Sequence, residues 1–196
     1  SRWVSGAEAR EYAHWLRAGF DALAVGGATA RADDPALTVR GSVAPRVAPA
    51  RVVITAKDAL PVSLQLVRTA RAVRTIVLTT SDRAGAAAEL TATGVTVESA
   101  GSLDAGLVRL REHAGVLSLL VEGGGRLAGA LLEAGLVDRM YWIQAPLWLG
   151  NGAVPAFAGL APRALDAAPR WSAVERRALG EDTLLVLDRE PCSQDS

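Results

Sequence analysis

Two stretches of this chain set chemistry-bearing side chains at the ends of apolar runs. In the first, Ala22-Leu23-Ala24-Val25 reads as a short strand that enters the glycine pair Gly26-Gly27 and then a loop carrying Thr29, Asp33, Asp34, Pro35 and Arg40. A hydroxyl, two acids and a guanidinium thus follow one strand end, and loops on a rigid scaffold are where polar chemistry usually sits. The same residue types also read as a bare turn, because Asp before Pro starts turns and caps short helices. In the second stretch, Leu117-Ser118-Leu119-Leu120-Val121 ends in Glu122 and Gly123-Gly124-Gly125, followed by Arg126, and a helix begins at once through Leu127, Ala130, Leu131 and Ala134, ending near Gly135. Glycines let a backbone approach a pyrophosphate, and a helix start offers it unpaired N–H groups and a positive dipole end. This is neither a Walker loop nor the full Rossmann fingerprint.

The elements that must position these groups follow from periodicity. Ser5 with Glu8 three residues on suggests a capping box for a helix over residues 7–18, in which Ala9, Tyr12, Ala13 and Leu16 recur at helical spacing and Arg17 lies near the end. Buried strands are predicted at residues 51–55 and 75–79, both continuous apolar or β-branched runs of the kind found in parallel sheets. A shorter strand is predicted at 95–98 and another at 140–145, with helices near 84–92 and at 104–113. Ser81 or Asp82 reads as an N-cap, and His113 near Gly115 as a structural histidine at a helix end. Residues 171–179 and 183–188, separated by Gly180-Glu181-Asp182, form the best hairpin candidate, although alternation in the first strand is imperfect. Strands alternating with helices up to a final hairpin predict an α/β three-layer domain with a mainly parallel sheet and an antiparallel edge. Ligands of such sheets gather at the carboxyl ends of strands, and both glycine stretches leave such ends.

The bulk numbers exclude several classes. With 196 residues, half of them hydrophobic, the chain can bury one sizeable core. Twenty-one basic against 21 acidic residues leave no electrostatic footprint for nucleic acid or an anionic membrane. Lys57 is the only lysine, which in so alanine-rich a chain reads as composition bias. The single cysteine, Cys192, rules out an internal disulfide, His14 and His113 are too few and too separated for a metal site, and a reducing cytoplasm is the expected location. No apolar run approaches the ~20 residues of a membrane span. The first residue is Ser, and the expectation is a segment of a longer product.

The order strand, Gly-Gly, Ala28-Thr29-x-x-Ala32-Asp33-Asp34-Pro35-x-Leu37-Thr38-Val39-Arg40 resembles the reductase domain of the riboflavin-pathway deaminase/reductase family, and Glu122-Gly123-Gly124-Gly125 with the following helix resembles that family's cofactor turn. The resemblance implies a dihydrofolate-reductase-like fold, with residues 1–188 as the reductase domain and 189–196 as a polar tail. It implies NADPH-dependent reduction of 5-amino-6-(5-phosphoribosylamino)uracil, a small phosphorylated substrate, and a homodimer, with a deaminase domain upstream in the parent protein. By the same resemblance Asp33 is the expected proton source, with Glu122 as second polar group or substrate anchor. The expected cofactor contacts are Trp3, Thr29, Asp33, Gly123, Gly124, Gly125, Arg126 and Leu127, and the expected substrate contacts are Ser1, Arg17, Leu37, Arg40 and Glu122. Without the resemblance Trp3 reads as a core aromatic and Arg17 as a solvated charge.

Two departures bear on this reading. Where the family carries an acid and then a small hydroxyl residue, this chain has Thr55 and Ala56, with Lys57 the one candidate replacement. The family's opening strand, of the type Leu-Ala-x-Ser-x-Asp-Gly, would precede Ser1. A related NADPH reductase of another pterin- or uracil-like substrate, and a non-catalytic nucleotide-binding domain, are the alternative expectations.

Overall fold

Apolar and β-branched runs give β-strands, and the computed structural model, which describes residues 4–56, 60–80 and 84–190, sets five strands side by side, the inner ones buried on both faces. In chain order the elements are α1 (Ala7–Ala18), β1 (Ala22–Gly26), α2 (Gly27–Asp33), β2 (Ala50–Thr55), α3 (Gln65–Arg68), β3 (Thr75–Thr79), α4 (Ala84–Ala92) and β4 (Thr96–Ser99). They continue with α5 (Leu103–Ala114), β5 (Leu119–Val121), α6 (Gly125–Glu133), β6 (Arg139–Gln144), β7 (Trp171–Leu179) and β8 (Asp182–Arg189). The order β4-β3-β2-β1-β5 makes one parallel sheet, with β1 between β2 and β5.

Side chains alternate between the two faces of a strand, and two apolar clusters result. Ala22, Ala24, Val52, Ile54, Ile76 and Leu78 pack with Leu110 of α5 and with Leu127 and Leu131 of α6. On the other face Val25, Val53 and Val77 pack with Ala30, Leu37, Leu66, Val67 and Leu90. Each fully buried Leu, Ile or Val contributes roughly 1.5–3 kcal/mol over its exposed state.

The expected hairpin is present. It recruits β6, so the antiparallel strands form a sheet of their own, in the order β6-β8-β7, in place of an edge on the parallel one. The imperfect alternation of β7 has a cause: a bulge between Ala173 and Glu175 leaves Val174 out of the pairing. Helix α1 packs on this second sheet through Ala9 and Tyr12, against Leu179, Leu184 and Val186.

Three expectations need correction. The loop predicted after Gly26-Gly27 is instead helix α2, because Ala28, Ala30 and Ala32 favour helix strongly and Ala30 buries completely; the Asp-Pro turn signal acts only at its end, where Asp34 caps the helix at φ 40°. The Ser5–Glu8 box does not form. Gly6 is the N-cap of α1, and its N–H donates to Asp182 Oδ2 at 2.8 Å, so the hairpin turn starts this helix. The strand expected at 95–98 runs one residue later, as β4. Ser1, Trp3, Lys57, Ser81, Asp82 and Cys192 lie outside the described residues.

A guanidinium is buried in this frame. Arg51, 2 % exposed at the start of β2, donates to Thr75 Oγ1, Thr69 Oγ1 and the carbonyls of Leu66, Val73 and Ala36. All five acceptors are neutral, so the charge is held by oriented dipoles, among them a carbonyl of α3. At the same end of the sheet, Asp21 ties β1 to β5: its Oδ2 accepts from Ser118 N–H at 2.8 Å, Ser118 Oγ at 3.0 Å and Leu117 N–H at 3.0 Å.

Arg51→Met is expected to lower unfolding stability by about 3 kcal/mol, because it strands those acceptors in the core; urea melts measure it. The bonds from Ser118, side chain first, and from Leu117 hold the Asp21 carboxyl below its usual value of 3.8. A depressed carboxylate stabilises the fold in full above that unfolded value and loses the contribution as pH falls through the folded one. Asp21→Asn should therefore cost about 1 kcal/mol near neutral pH, modest because the group is largely solvated. Melts repeated in acid should show the gap to wild type closing below about pH 4.

Candidate functional site

Because β1 and β5 are adjacent and parallel, with Ala24 opposite Val121, their carboxyl ends deliver the two glycine stretches to one place. The Glu122 N–H continues the pairing to Ala24 O at 2.8 Å. Gly123 and Gly124 then take positive φ of 69° and 84°, and Gly124 becomes the N-cap of α6. A side chain on Gly124 would press its Cβ to 2.8 Å from Thr29 Oγ1, so the two turns touch through Thr29. Gly27 is equally close to β2, where a Cβ would meet Thr55 Oγ1 at 2.8 Å.

The Gly123 position opens onto free space, and in α6 the first helical bond is Ala128 N–H to Gly124 O at 3.0 Å, leaving the amides of Gly125, Arg126 and Leu127 before it. A phosphate-bearing group fits this geometry, with open glycine backbone, unpaired amides and a helix N-terminus together. Gly125 is closed on its other side by Pro155 O and Ala156 O, and its carbonyl accepts the Ala158 N–H at 2.9 Å.

Glu122 meets Arg17 across 105 residues of sequence. Arg17 Nε and Nη2 donate to the two carboxylate oxygens at 2.5 Å each, and Nη1 donates to Thr38 O at 2.9 Å. The pair is half-buried and bidentate, the geometry in which Arg–carboxylate contacts are strongest. It ties the end of α1, the turn after β5 and the segment after α2 together. His14, one turn before Arg17, accepts the Arg40 N–H on Nδ1 at 3.1 Å. Burial, and then Arg17, push the His14 imidazole below its ordinary value.

The structure therefore brings together Thr29, Glu122, Gly123, Gly124, Arg17 and the Arg40 backbone. Asp33 is exposed at the last position of α2, and Arg126 is exposed on α6. Leu37 and Leu127 have buried side chains that belong to the two core clusters. Leu37 holds φ 44°, an unusual value for a leucine, at the bend that returns the chain to His14. His14 and Thr38 were absent from the residues expected from sequence; the signal for His14 is its i, i+3 spacing to Arg17 on α1, which sets both on one helix face.

A cavity of about 350 Å³ lies at the other end of α6, between Leu132, Val137, Met140, Phe157 and Trp171. None of the expected site residues that are described lines it. Among the described residues, no group of three or more His, Cys, Asp or Glu could hold a metal, and no helix is long and apolar enough to cross a membrane.

Comparison with known proteins meets this geometry from outside. The family model described as the RibD C-terminal domain matches residues 1–185. The riboflavin biosynthesis protein RibD of Mycobacterium tuberculosis is 34% identical over 190 residues, covering 95% of this chain and 48% of that protein. The chain thus spans about half the length of the curated relatives it matches. Among solved structures, Acinetobacter baumannii RibD superposes with a TM-score of 0.85 at 25% identity, over 96% of this chain and 52% of that one. A deaminase/5-amino-6-(5-phosphoribosylamino)uracil reductase of Thermotoga maritima shares the fold, with a TM-score of 0.74 at 22% identity, over 96% and 50%.

Gly124→Ala is expected to cost about 2 kcal/mol, part from positive φ and part from the contact with Thr29. Adding Thr29→Ala should recover the contact share, about 1 kcal/mol, and leave the φ share. Urea melts of the single and double variants measure both.

Proposed function

The chain belongs to the RibD C-terminal domain family, and from that premise we propose that it is an NADPH-dependent reductase of 5-amino-6-(5-phosphoribosylamino)uracil in riboflavin biosynthesis. The observation that carries the proposal is the junction of the two glycine turns, where open backbone at Gly123 and the first amides of α6 lie beside a bidentate Arg17–Glu122 pair. One side of that junction suits a phosphate-bearing cofactor and the other a phosphorylated substrate. NADPH, when bound, supplies the hydride that reduces C1′ of the ring-opened ribosylamino group.

The chain's own residues do the rest. Gly123, Gly124 and Gly125, with the Arg126 and Leu127 amides, hold the cofactor phosphates, Thr29 stands at their side, and Trp3 and Asp33 complete that set. Arg17 and Arg40 take the substrate phosphate, with Ser1 and the Leu37 backbone along the substrate. Glu122, engaged by Arg17, orients that guanidinium and the substrate. Asp33, exposed at the end of α2, gives the proton to the product side. The proposal includes residues 1–188 as the reductase unit, a homodimer in the cytoplasm, and a deaminase domain elsewhere in the full-length protein; the half-length match to RibD proteins supports that last part.

NADPH titration followed by tryptophan fluorescence tests the reading. Wild type and Asp33→Asn should bind saturably, and a Gly124→Val chain verified as folded by circular dichroism should not. With the uracil substrate, Asp33→Asn should lose turnover by about 100-fold or more. A folded wild-type chain that binds no NADPH overturns the proposal.

A further inference from the structure

His14 sits where the charged elements of the site meet, and the reaction above leaves it no task. Its Nδ1 accepts the Arg40 N–H at 3.1 Å and lies 3.4 Å from Arg17 Nη1. One imidazole nitrogen therefore touches both residues assigned to the substrate phosphate. We propose that His14, as the neutral Nε2–H imidazole, is a positioning residue for phosphate capture: its Nδ1 lone pair pins the chain at Arg40 against α1, so that the Arg17 and Arg40 guanidiniums address one phosphate. The inference rests on the reading of Arg17 and Arg40 as phosphate ligands.

The chemistry leaves one protonation state for this task. An Nδ1 that accepts an N–H must carry a lone pair, so the ring proton is on Nε2. The groups facing the ring are Arg17 on α1, Arg40 and the Thr38 backbone on the segment after α2, and Glu122 after β5. Burial disfavours the cation first, Arg17 and then Arg40 add to it, and Glu122 and the Thr38 hydrogen bond oppose them without reversing the direction. Protonation would set an N–H against the Arg40 N–H and release that segment. Phosphate capture should then weaken in acid even though the site gains positive charge, the reverse of what a simple electrostatic contact gives.

The test uses this chain as it stands. It has two histidines, so NMR of the imidazole nitrogens, with His14→Asn as the assignment control, reads His14 against exposed His113. The expected result is the Nε2–H tautomer near pH 7, with a titration midpoint that falls on saturation with inorganic phosphate, because an anion captured better by the neutral-ring form must by linkage disfavour protonation of that ring. In turnover, His14→Ala should raise KM for the phosphorylated substrate about tenfold, with a smaller fall in kcat. Asn places its Oδ1 where His has Nδ1, so His14→Asn should stay within about threefold of wild type near neutrality. From about pH 7.5 to about pH 5.5 the wild-type KM should climb more steeply than that of His14→Asn, the phosphate's own protonation being common to both. An Nδ1–H tautomer, a midpoint that phosphate leaves unchanged or raises, or equal defects in the Ala and Asn variants would overturn the proposal. Absence of turnover by wild type would overturn the substrate reading alone, and the nitrogen shifts would still decide the role of His14.

Discussion

Everything at the site depends on two backbones approaching more closely than side chains allow. Parallel pairing of β1 and β5 aims the Gly26-Gly27 and Gly123-Gly124 turns at the same place, and the turns touch only because Gly124 has no Cβ to strike Thr29. Parallel strands require crossover connections, so residues nearly 100 apart in sequence must be folded before this contact exists. The site is therefore a product of tertiary structure and not of either motif alone.

The charges obey the same frame. Arg17 belongs to a helix packed on the antiparallel sheet, whereas Glu122 ends a strand of the parallel one, so their bidentate bond spans the two halves of the core. Arg51 shows the contrasting solution, a cation inside the fold that faces hydroxyls and carbonyls alone. At the strands' amino ends charge holds loops in place, and at their carboxyl ends it lies in the turn that leads into the open Gly123 backbone.

Much of this was legible in the residues. β1, β2 and β3 are continuous apolar runs, and α1 and α6 carry clean helical spacing, so the layers and the convergence of the two loops could be read directly. Helix α2 could not, because an Asp-Pro signal and a glycine pair bracket only a few alanines and local rules favour a turn there. The Arg17–Glu122 bond was invisible for a different reason: no periodicity links positions 105 apart, and only the sheet register does. Arg51 likewise reads as a polar residue opening a strand until the loops that surround it are in place. Leu37 and Leu127 matched a motif, yet the fold uses their side chains as core.

Helix α6 carries one more consequence. The irregular segment around residues 155–158 lies directly on Gly125 and Gly129, one turn apart, where an added Cβ would fall 2.3 Å from Pro155 O and 2.1 Å from Ala158 O. The separation of that segment from the helix is thus a length measured by two missing side chains. A single methyl at either position would act as a wedge, and the wall it displaced would be the one that borders the glycine turn. Mutational tolerance in α6 should accordingly be striped, generous on the exposed face at Arg126 and Ala130 and nearly absent along the line of Gly125 and Gly129, with the spacing between helix and segment as the quantity at stake.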